Sequence, residues 1–294
     1  MSNPDVPLEP IVVAEPSKPK KRFIANDFEW TEKPMGKGSF GSVFKCREKK
    51  NDFPVAIKAV KKTILTADDK LLQLTREIEL QTVLLHKNIV ILYGFFDNYD
   101  YVFIILELCT LGTLSRMLRR EKCLAVSRAS YYADCIADAL DYCHARNVIH
   151  RDVKPANVLI TASMEPKLAD FGFAVHDVDF RRETVCGTPS YLSPEMLNDD
   201  TNHAHTTKVD NWALGVLFYE CLTGRTPFRA TDQATTFRNI VNAKIECDSK
   251  VSNAAMTVIK GLLTVNVEKR LGLKEFRQNP FVQSEVNKYQ SANN

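Results

Sequence analysis

The sequence predicts an α+β fold of two lobes: an N-terminal lobe that is mostly antiparallel β-sheet with one helix, and a C-terminal lobe that is mostly α-helical. Two observations predict it. From Asn26 to Leu106 short runs alternate apolar and polar residues with the two-residue period of strands, and one helical stretch interrupts them. Beyond Gly112 the apolar residues recur at helical spacing, so sheet-forming text precedes helix-forming text instead of alternating with it. A chain of 294 residues, 45% hydrophobic and 26% charged, is long and apolar enough to bury a full core.

Residues 1–25 are expected to be a tail. Pro4, Pro7, Pro10, Pro16 and Pro19 deny that stretch helix and ladder pairing, and it runs into Lys18-Pro19-Lys20-Lys21-Arg22, read as a solvated linker with nuclear import or contact with an acidic partner as the alternatives. The folded domain is then 26–282. In its first lobe, 26–106, Ser42 to Cys46 and Val55 to Val60 are strand-like and Asp69 to Leu85 is helical. In its second lobe, 110–282, Ser127 to Arg146 sets Tyr131, Ile136, Leu140 and Cys143 at helical spacings, and Val209 to Leu222 is an almost wholly apolar helix. Residues 283–294 are expected to be a short C-terminal tail.

Charge and composition exclude several classes of function. The net charge of +3, from 39 basic and 36 acidic residues, is too balanced to attract nucleic acid through its field. The eight cysteines show no Cys-x-x-Cys pair and no paired histidine spacing, which argues against a metal or disulfide framework and for a reducing compartment. No apolar run has the length of a membrane span, and no signal-peptide order opens the chain. The expectation is an intracellular protein, in cytoplasm and nucleus, with neither a nucleic-acid nor a membrane partner.

The chemistry begins at Gly36-Lys37-Gly38-Ser39-Phe40-Gly41-Ser42-Val43, where three glycines let backbone amides come close to phosphates. A dinucleotide-binding loop would need a helix directly afterwards. A strand follows instead, which favours a β-hairpin over a nucleotide. Lys58 stands alone in the apolar run Val55-Ala56-Ile57-Lys58, a costly place for a cation without an anion, and Glu77 on the next helix offers the carboxylate to hold it. Then come Val148-Ile149-His150-Arg151-Asp152-Val153-Lys154-Pro155-Ala156-Asn157 and Lys167-Leu168-Ala169-Asp170-Phe171-Gly172. In this order and spacing the set resembles the eukaryotic protein kinases, and the resemblance implies a bilobal kinase fold whose single N-lobe helix is the family's αC.

The resemblance implies an ATP-dependent serine/threonine protein kinase using ATP and Mg2+, acting on protein substrates. Phosphoryl transfer demands positioning and charge neutralisation more than covalent chemistry, which explains the residue types. Asp152 would orient the substrate hydroxyl and accept its proton, Lys154 would lie near the transferred phosphoryl as in serine/threonine kinases, and Asn157 and Asp170 would supply oxygen ligands to magnesium. Leu106 would be the gatekeeper, Glu107-Leu108-Cys109 the hinge that pairs with adenine, and Val43, Ala56 and Leu159 the walls around the base.

From Asp170 to Glu195 the sequence resembles an activation segment, with Thr184 as its phosphosite and Arg76, Arg151 and Arg182 as the clamp for the phosphate. Arg-Glu-Ile-Glu-Leu-Gln ending at Gln81, Leu92 to Phe96, Tyr142-Cys143-His144, Val175-His176 and Arg181 to Thr188 narrow the resemblance to the Aurora kinases over about Asp27 to Val282. Gln81 falls in the column with Leu92, His150 and Phe171, where Auroras carry glutamine. The resemblance implies a mitotic role on spindle or chromosomes, a monomeric catalytic unit, and an activator docking on the N-lobe, such as an inner centromere protein or spindle-assembly factor. Arg181-Arg182-Glu183-Thr184 matches the pattern Auroras phosphorylate, so autophosphorylation in trans is expected. By the same resemblance Asp210 braces the catalytic loop and Arg270 pairs with Glu195. Phe173, Ala156 and Asn211 depart from the Aurora pattern, and Ala156 removes a glutamate that helps hold a substrate arginine, leaving Glu220 as the candidate reader. The alternatives are a serine/threonine kinase of polo-like or calcium-regulated type, and a pseudokinase scaffold.

Overall fold

In the computed structural model the described residues are 23–37, 41–65, 68–176, 189–197, 206–249 and 251–293. Strands β1 (Phe28–Trp30), β2 (Gly36–Lys37), β3 (Gly41–Glu48), β4 (Phe53–Lys61), β5 (Leu92–Asp97) and β6 (Tyr101–Glu107) form one antiparallel sheet in the order β1-β3-β4-β6-β5, with β2 paired to β3. Val43 lies opposite Lys58 and Lys58 opposite Ile104, while Phe44 lies opposite Ile57 and Ile57 opposite Ile105. Because side chains alternate along a strand, Val43, Ala56, Lys58 and Leu106 share one face and Phe44, Ile57, Ala59 and Phe103 the other. Helix α1 (Asp68–Val83) packs on the first face through Leu74 and Ile78 against Val60, Leu92 and Ile104. On the second face Phe96 stacks between Phe28 and Phe103, with ring centroids 5.8 and 4.7 Å away. At the start of β3 only glycine fits, since a Cβ on Gly41 would lie 2.0 Å from the Ala59 carbonyl oxygen.

The second lobe opens with β7 (Gly112–Thr113) and α2 (Leu114–Glu121), whose first turn is capped by Thr113 Oγ1 accepting the Arg116 amide at 3.1 Å. It continues through α3 (Val126–His144), β8 (Val148–Ile149), β9 (Val158–Ile160), β10 (Pro166–Leu168), β11 (Val175–His176), α4 (Pro194–Leu197), α5 (Lys208–Thr223), α6 (Gln233–Val241), α7 (Asn253–Leu262), α8 (Leu273–Gln278) and α9 (Pro280–Asn293). The expected helices correspond to α1, α3 and α5, with ends shifted by a residue or two. As its almost wholly apolar run foretells, α5 is central to the core of this lobe, with Trp212, Leu214, Val216, Leu217 and Phe218 buried. It stops at Gly224, at φ 79°, where a Cβ would lie 2.0 Å from the Lys122 carbonyl oxygen.

One expectation is corrected. Of the expected tail, residues 283–293 are helical: α9 runs through them, burying Val282 and Val286 and stacking Tyr289 on Tyr131 of α3 at 4.7 Å between centroids. Those three residues repeat at helical spacing on one face, a narrow stripe diluted by the polar residues around it.

The lobes are stitched where α1 ends. Val90 donates its amide to the Leu168 carbonyl at 2.9 Å, Leu168 to that of Asn88 at 2.8 Å, and Asn88 Nδ2 to that of Pro166 at 2.9 Å. Among the described residues no helix is long and apolar enough to cross a membrane, and the seven described cysteines are free thiols. Burial pushes the thiols of Cys46, Cys109, Cys135 and Cys143 up to about 12, which leaves them protonated and unreactive at neutral pH.

Candidate active site

Lys58 on β4 donates to Glu77 Oε1 on α1 at 2.6 Å, so the register that turns Lys58 inward also fixes the helix. Burial, the largest influence, pulls the Lys58 pKa down. The carboxylates of Glu77 and Asp170 and the Glu77 hydrogen bond outweigh it and hold the ammonium above the ordinary lysine range.

Beyond β8 the chain makes a loop that closes in the 3-10 turn Pro155–Asn157. Its shape is held from beneath by Asp210, fully buried at the start of α5. Asp210 accepts the amides of His150 and Arg151 at 2.9 and 2.8 Å and pairs with His144 Nε2 at 2.8 Å. Burial alone would raise the Asp210 carboxyl, but His144, His150 and these bonds bring it below the usual carboxylate range. The two amide bonds offset the cost of holding Arg151 at φ 62°, a conformation L-residues avoid. Arg151 Nε donates to the Phe173 carbonyl at 2.8 Å, which ties the loop to the start of the activation segment.

Asp152 is 3% exposed, and its carboxylate is oriented from two sides. Lys154 Nζ donates to Oδ1 and Oδ2 at 2.9 and 2.7 Å, and Asn157 Nδ2 donates to Oδ2 at 2.8 Å and to the Asp152 carbonyl at 2.9 Å. With both of its amide bonds on Asp152, Asn157 turns its side-chain oxygen elsewhere. Asp170 also adopts a left-handed backbone, at φ 65°. It is positioned by the Ala169 amide, which donates to the Asn157 carbonyl at 2.8 Å, and by buried Phe171, which meets the His150 ring edge-on at 4.9 Å. Gln81 donates to the Val90 carbonyl at 2.9 Å, which satisfies its amide nitrogen in a buried column.

Gly36, Gly41 and Val43 lie in the β2–β3 hairpin, Ala56 beside Lys58, Leu106 and Glu107 at the end of β6, Cys109 two residues on, and Leu159 on β9. Gly38, Ser39, Phe40, Thr184 and Arg182 lie outside the described residues, as does the side chain of Lys37. Sequence reasoning missed Lys167, which donates to the Glu107 side chain at 2.8 Å while Glu107 also accepts the Ile91 amide at 3.2 Å. The signal was the same as at Lys58, a lone lysine between buried strand neighbours. Three residues outside the cleft gain definite partners. Tyr191 donates to Glu220, Arg270 makes a two-bond pair with Glu195 at 2.6 and 2.8 Å, and Asn211 Nδ2 donates to the Leu271 carbonyl at 2.8 Å.

The donor set suits a hard divalent cation. Asp170 brings a carboxylate and Asn157 an amide oxygen, both of the oxygen type such ions prefer. Among the described residues no cluster of three or more His, Cys, Asp or Glu side chains could hold a metal alone.

A protein kinase domain family model matches residues 30–282, and the chain belongs to that family. The curated relatives narrow the class. The chain is 39% identical over 280 residues to Aurora kinase B-A of Xenopus laevis, covering 95% of this chain and 76% of that protein. It is 41% identical over 265 residues to serine/threonine-protein kinase Aurora-2 of Arabidopsis thaliana, covering 90% and 92%. It is 41% identical over 262 residues to Aurora/IPL1-related protein kinase 2 of Caenorhabditis elegans, covering 89% and 85%. This is an Aurora-like serine/threonine protein kinase, an enzyme of a family that uses ATP with a divalent metal and takes protein substrates.

Proposed function

We propose that Asp152, Lys154, Lys58, Asn157 and Asp170 transfer the γ-phosphoryl group of ATP to serine and threonine hydroxyls. The observation that carries the reading is the buried Asp152 carboxylate, oriented by Lys154 and Asn157 at 2.7 to 2.9 Å. Asp152 holds the incoming hydroxyl and takes its proton as the oxygen bonds to the γ-phosphorus and the bond to the bridging oxygen of ADP breaks. Lys154, already beside Asp152, offsets the charge on the transferred group. Lys58, kept charged by Glu77, binds the nucleotide phosphates. Bound Mg2+, held by Asn157 and Asp170, would neutralise phosphate charge. Val43, Ala56 and Leu159 enclose the adenine, Leu106 closes its back, the backbone of Glu107 and Cys109 pairs with its edge, and Gly36 to Gly41 cover the phosphates.

The same reading makes phosphorylated Thr184 the switch, gripped by Arg76, Arg151 and Arg182. The Arg151 bond to Phe173 supports it, because it brings the guanidinium to the segment that carries Thr184. The same proposal extends to a mitotic role on spindle or chromosomes and to activation by a protein docking on the N-lobe, readings that kinship with Aurora kinases supports. The test is radiolabelled transfer from magnesium-ATP to a degenerate peptide library by wild type, Asp152→Asn and Thr184→Ala. Full labelling of serine and threonine peptides by wild type, weakened labelling by Thr184→Ala and none by Asp152→Asn is expected. Equal labelling by Asp152→Asn would remove the proposed base, and an unchanged Thr184→Ala would remove the switch.

A further inference from the structure

A concave cavity of about 590 Å³ opens on the outer face of the N-terminal sheet, away from the cleft that holds Lys58, Asp152 and Asp170. Trp30, Phe44, Ala59, Tyr101 and Phe103 line it, and Lys61 stands among them. The Trp30 ring meets Phe44 and Phe103 edge-on, at 5.7 and 5.6 Å between centroids. An antiparallel sheet covered by a helix on one face usually turns polar side chains outward on the other. Here positions 44, 57, 59 and 103 are apolar, so the outward face has the composition of an interior. A concavity of this size and lining marks a binding surface.

The chain itself supplies a candidate for it. The cavity reaches Ala25, and Phe23, where the described residues begin, packs on Phe28 of this same face at 5.7 Å between centroids. The point at which residues 1–22 join the domain therefore lies on the cavity's side. Within them the longest apolar run is Ile11-Val12-Val13-Ala14, flanked by Glu9 and Glu15, acids suited to Lys61. Pro10 and Pro16 bracket the run and favour an extended backbone, which lies in a groove without internal hydrogen bonds to break. The link from Val13 to Phe23 reaches at most roughly 35 Å. That exceeds the width of the five-strand path, about 19 Å at the usual strand spacing.

We infer that Ile11, Val12 and Val13 dock in cis on the outer face of the N-terminal sheet and cover Trp30. The chain has two tryptophans, and the other, Trp212, is fully buried, so changes in acrylamide quenching report on Trp30. The test uses the full chain against a full-chain Ile11→Ser/Val12→Ser/Val13→Ser variant, with a synthetic peptide of residues 1–22 added to the variant. The substituted residues lie outside the folded domain, and an unchanged thermal midpoint checks that it is intact. The expected result is stronger quenching and red-shifted emission in the variant, both reversed by the peptide. Identical quenching in the two chains overturns the inference. A difference that grows with protein concentration also overturns it, by assigning the groove to a second copy's segment.

Discussion

Glu195→Gln isolates the ion pair that fastens the end of the activation segment to the C-terminal lobe. Arg270 has a fully buried side chain, and Glu195 is its only carboxylate partner among the described residues. Removing one partner of a buried pair costs about 3–5 kcal/mol, because the other charge is left behind without compensation. Here Arg270 keeps Nε on the Thr264 carbonyl at 2.9 Å, Nη1 on that of Lys208 at 2.8 Å, and the Trp212 ring at 5.1 Å. Those contacts place the loss at the lower end, about 3 kcal/mol. At about 2–4 °C per kcal/mol for a domain of this size, the melting midpoint should fall by roughly 6–12 °C. The pH dependence gives a second handle. Burial raises the Glu195 carboxyl, but the bonds and charge of Arg270 outweigh it and leave the folded value below the ordinary range. A depressed folded value contributes stability above the unfolded value and loses it as pH falls through the folded one. Urea unfolding should therefore separate wild type from Glu195→Gln fully at neutral pH and bring them together in acid. A gap under about 1 kcal/mol at neutral pH would refute the reasoning, since it would mean the guanidinium is satisfied without its carboxylate.

Other perturbations follow from the same geometry. Glu77→Gln removes a charge-assisted bond of about 1.5–3 kcal/mol from Lys58, so peptide-kinase kcat/KM should drop about 10- to 150-fold, and a drop of under twofold would detach Lys58 from the reaction. Gly215→Ala puts a Cβ 2.8 Å from that of Leu262 and 3.0 Å from Leu263 Cδ2, an overpacking that should cost about 1–3 kcal/mol in urea unfolding. An unchanged midpoint would show that α5 and α7 can part at no cost. Asp210→Ala takes the acceptor from the His150 and Arg151 amides and should lower kcat more than KM for ATP, because it loosens the loop that carries Asp152 and leaves the β-lobe intact. Equal effects on both parameters would argue for general unfolding instead.

Much of this structure was legible because local pattern and tertiary role coincide. The two-residue period around Val43 and Ala56 foretold the strands, and the observed register then sets Val43, Ala56 and Lys58 on one face. The Lys58–Glu77 contact was legible as the remedy for a cation in an apolar strand. What stayed hidden depends on residues distant in the chain. Lys167 carries a signal of its own, but nothing near Glu107 names it as the partner, and nothing near Glu220 announces Tyr191. The left-handed backbones of Arg151 and Asp170 were equally invisible, for neither is a glycine, and Arg151 is held there by a bond to Asp210 on distant α5. Asn211 looked like a departure inside an apolar helix until its bond to the Leu271 carbonyl supplied the reason. The last helix, α9, was missed because three apolar residues carry it and polar ones surround them.

In the proposed nucleotide site Asn157 and Asp170 form the metal end and Asp152 is the base. Calorimetric titration of ATP, with and without magnesium, into wild type, Asp152→Asn and Asp170→Asn tests this. Magnesium should tighten binding to wild type and to Asp152→Asn alike and do little for Asp170→Asn. Undiminished magnesium-dependent tightening in Asp170→Asn would contradict it.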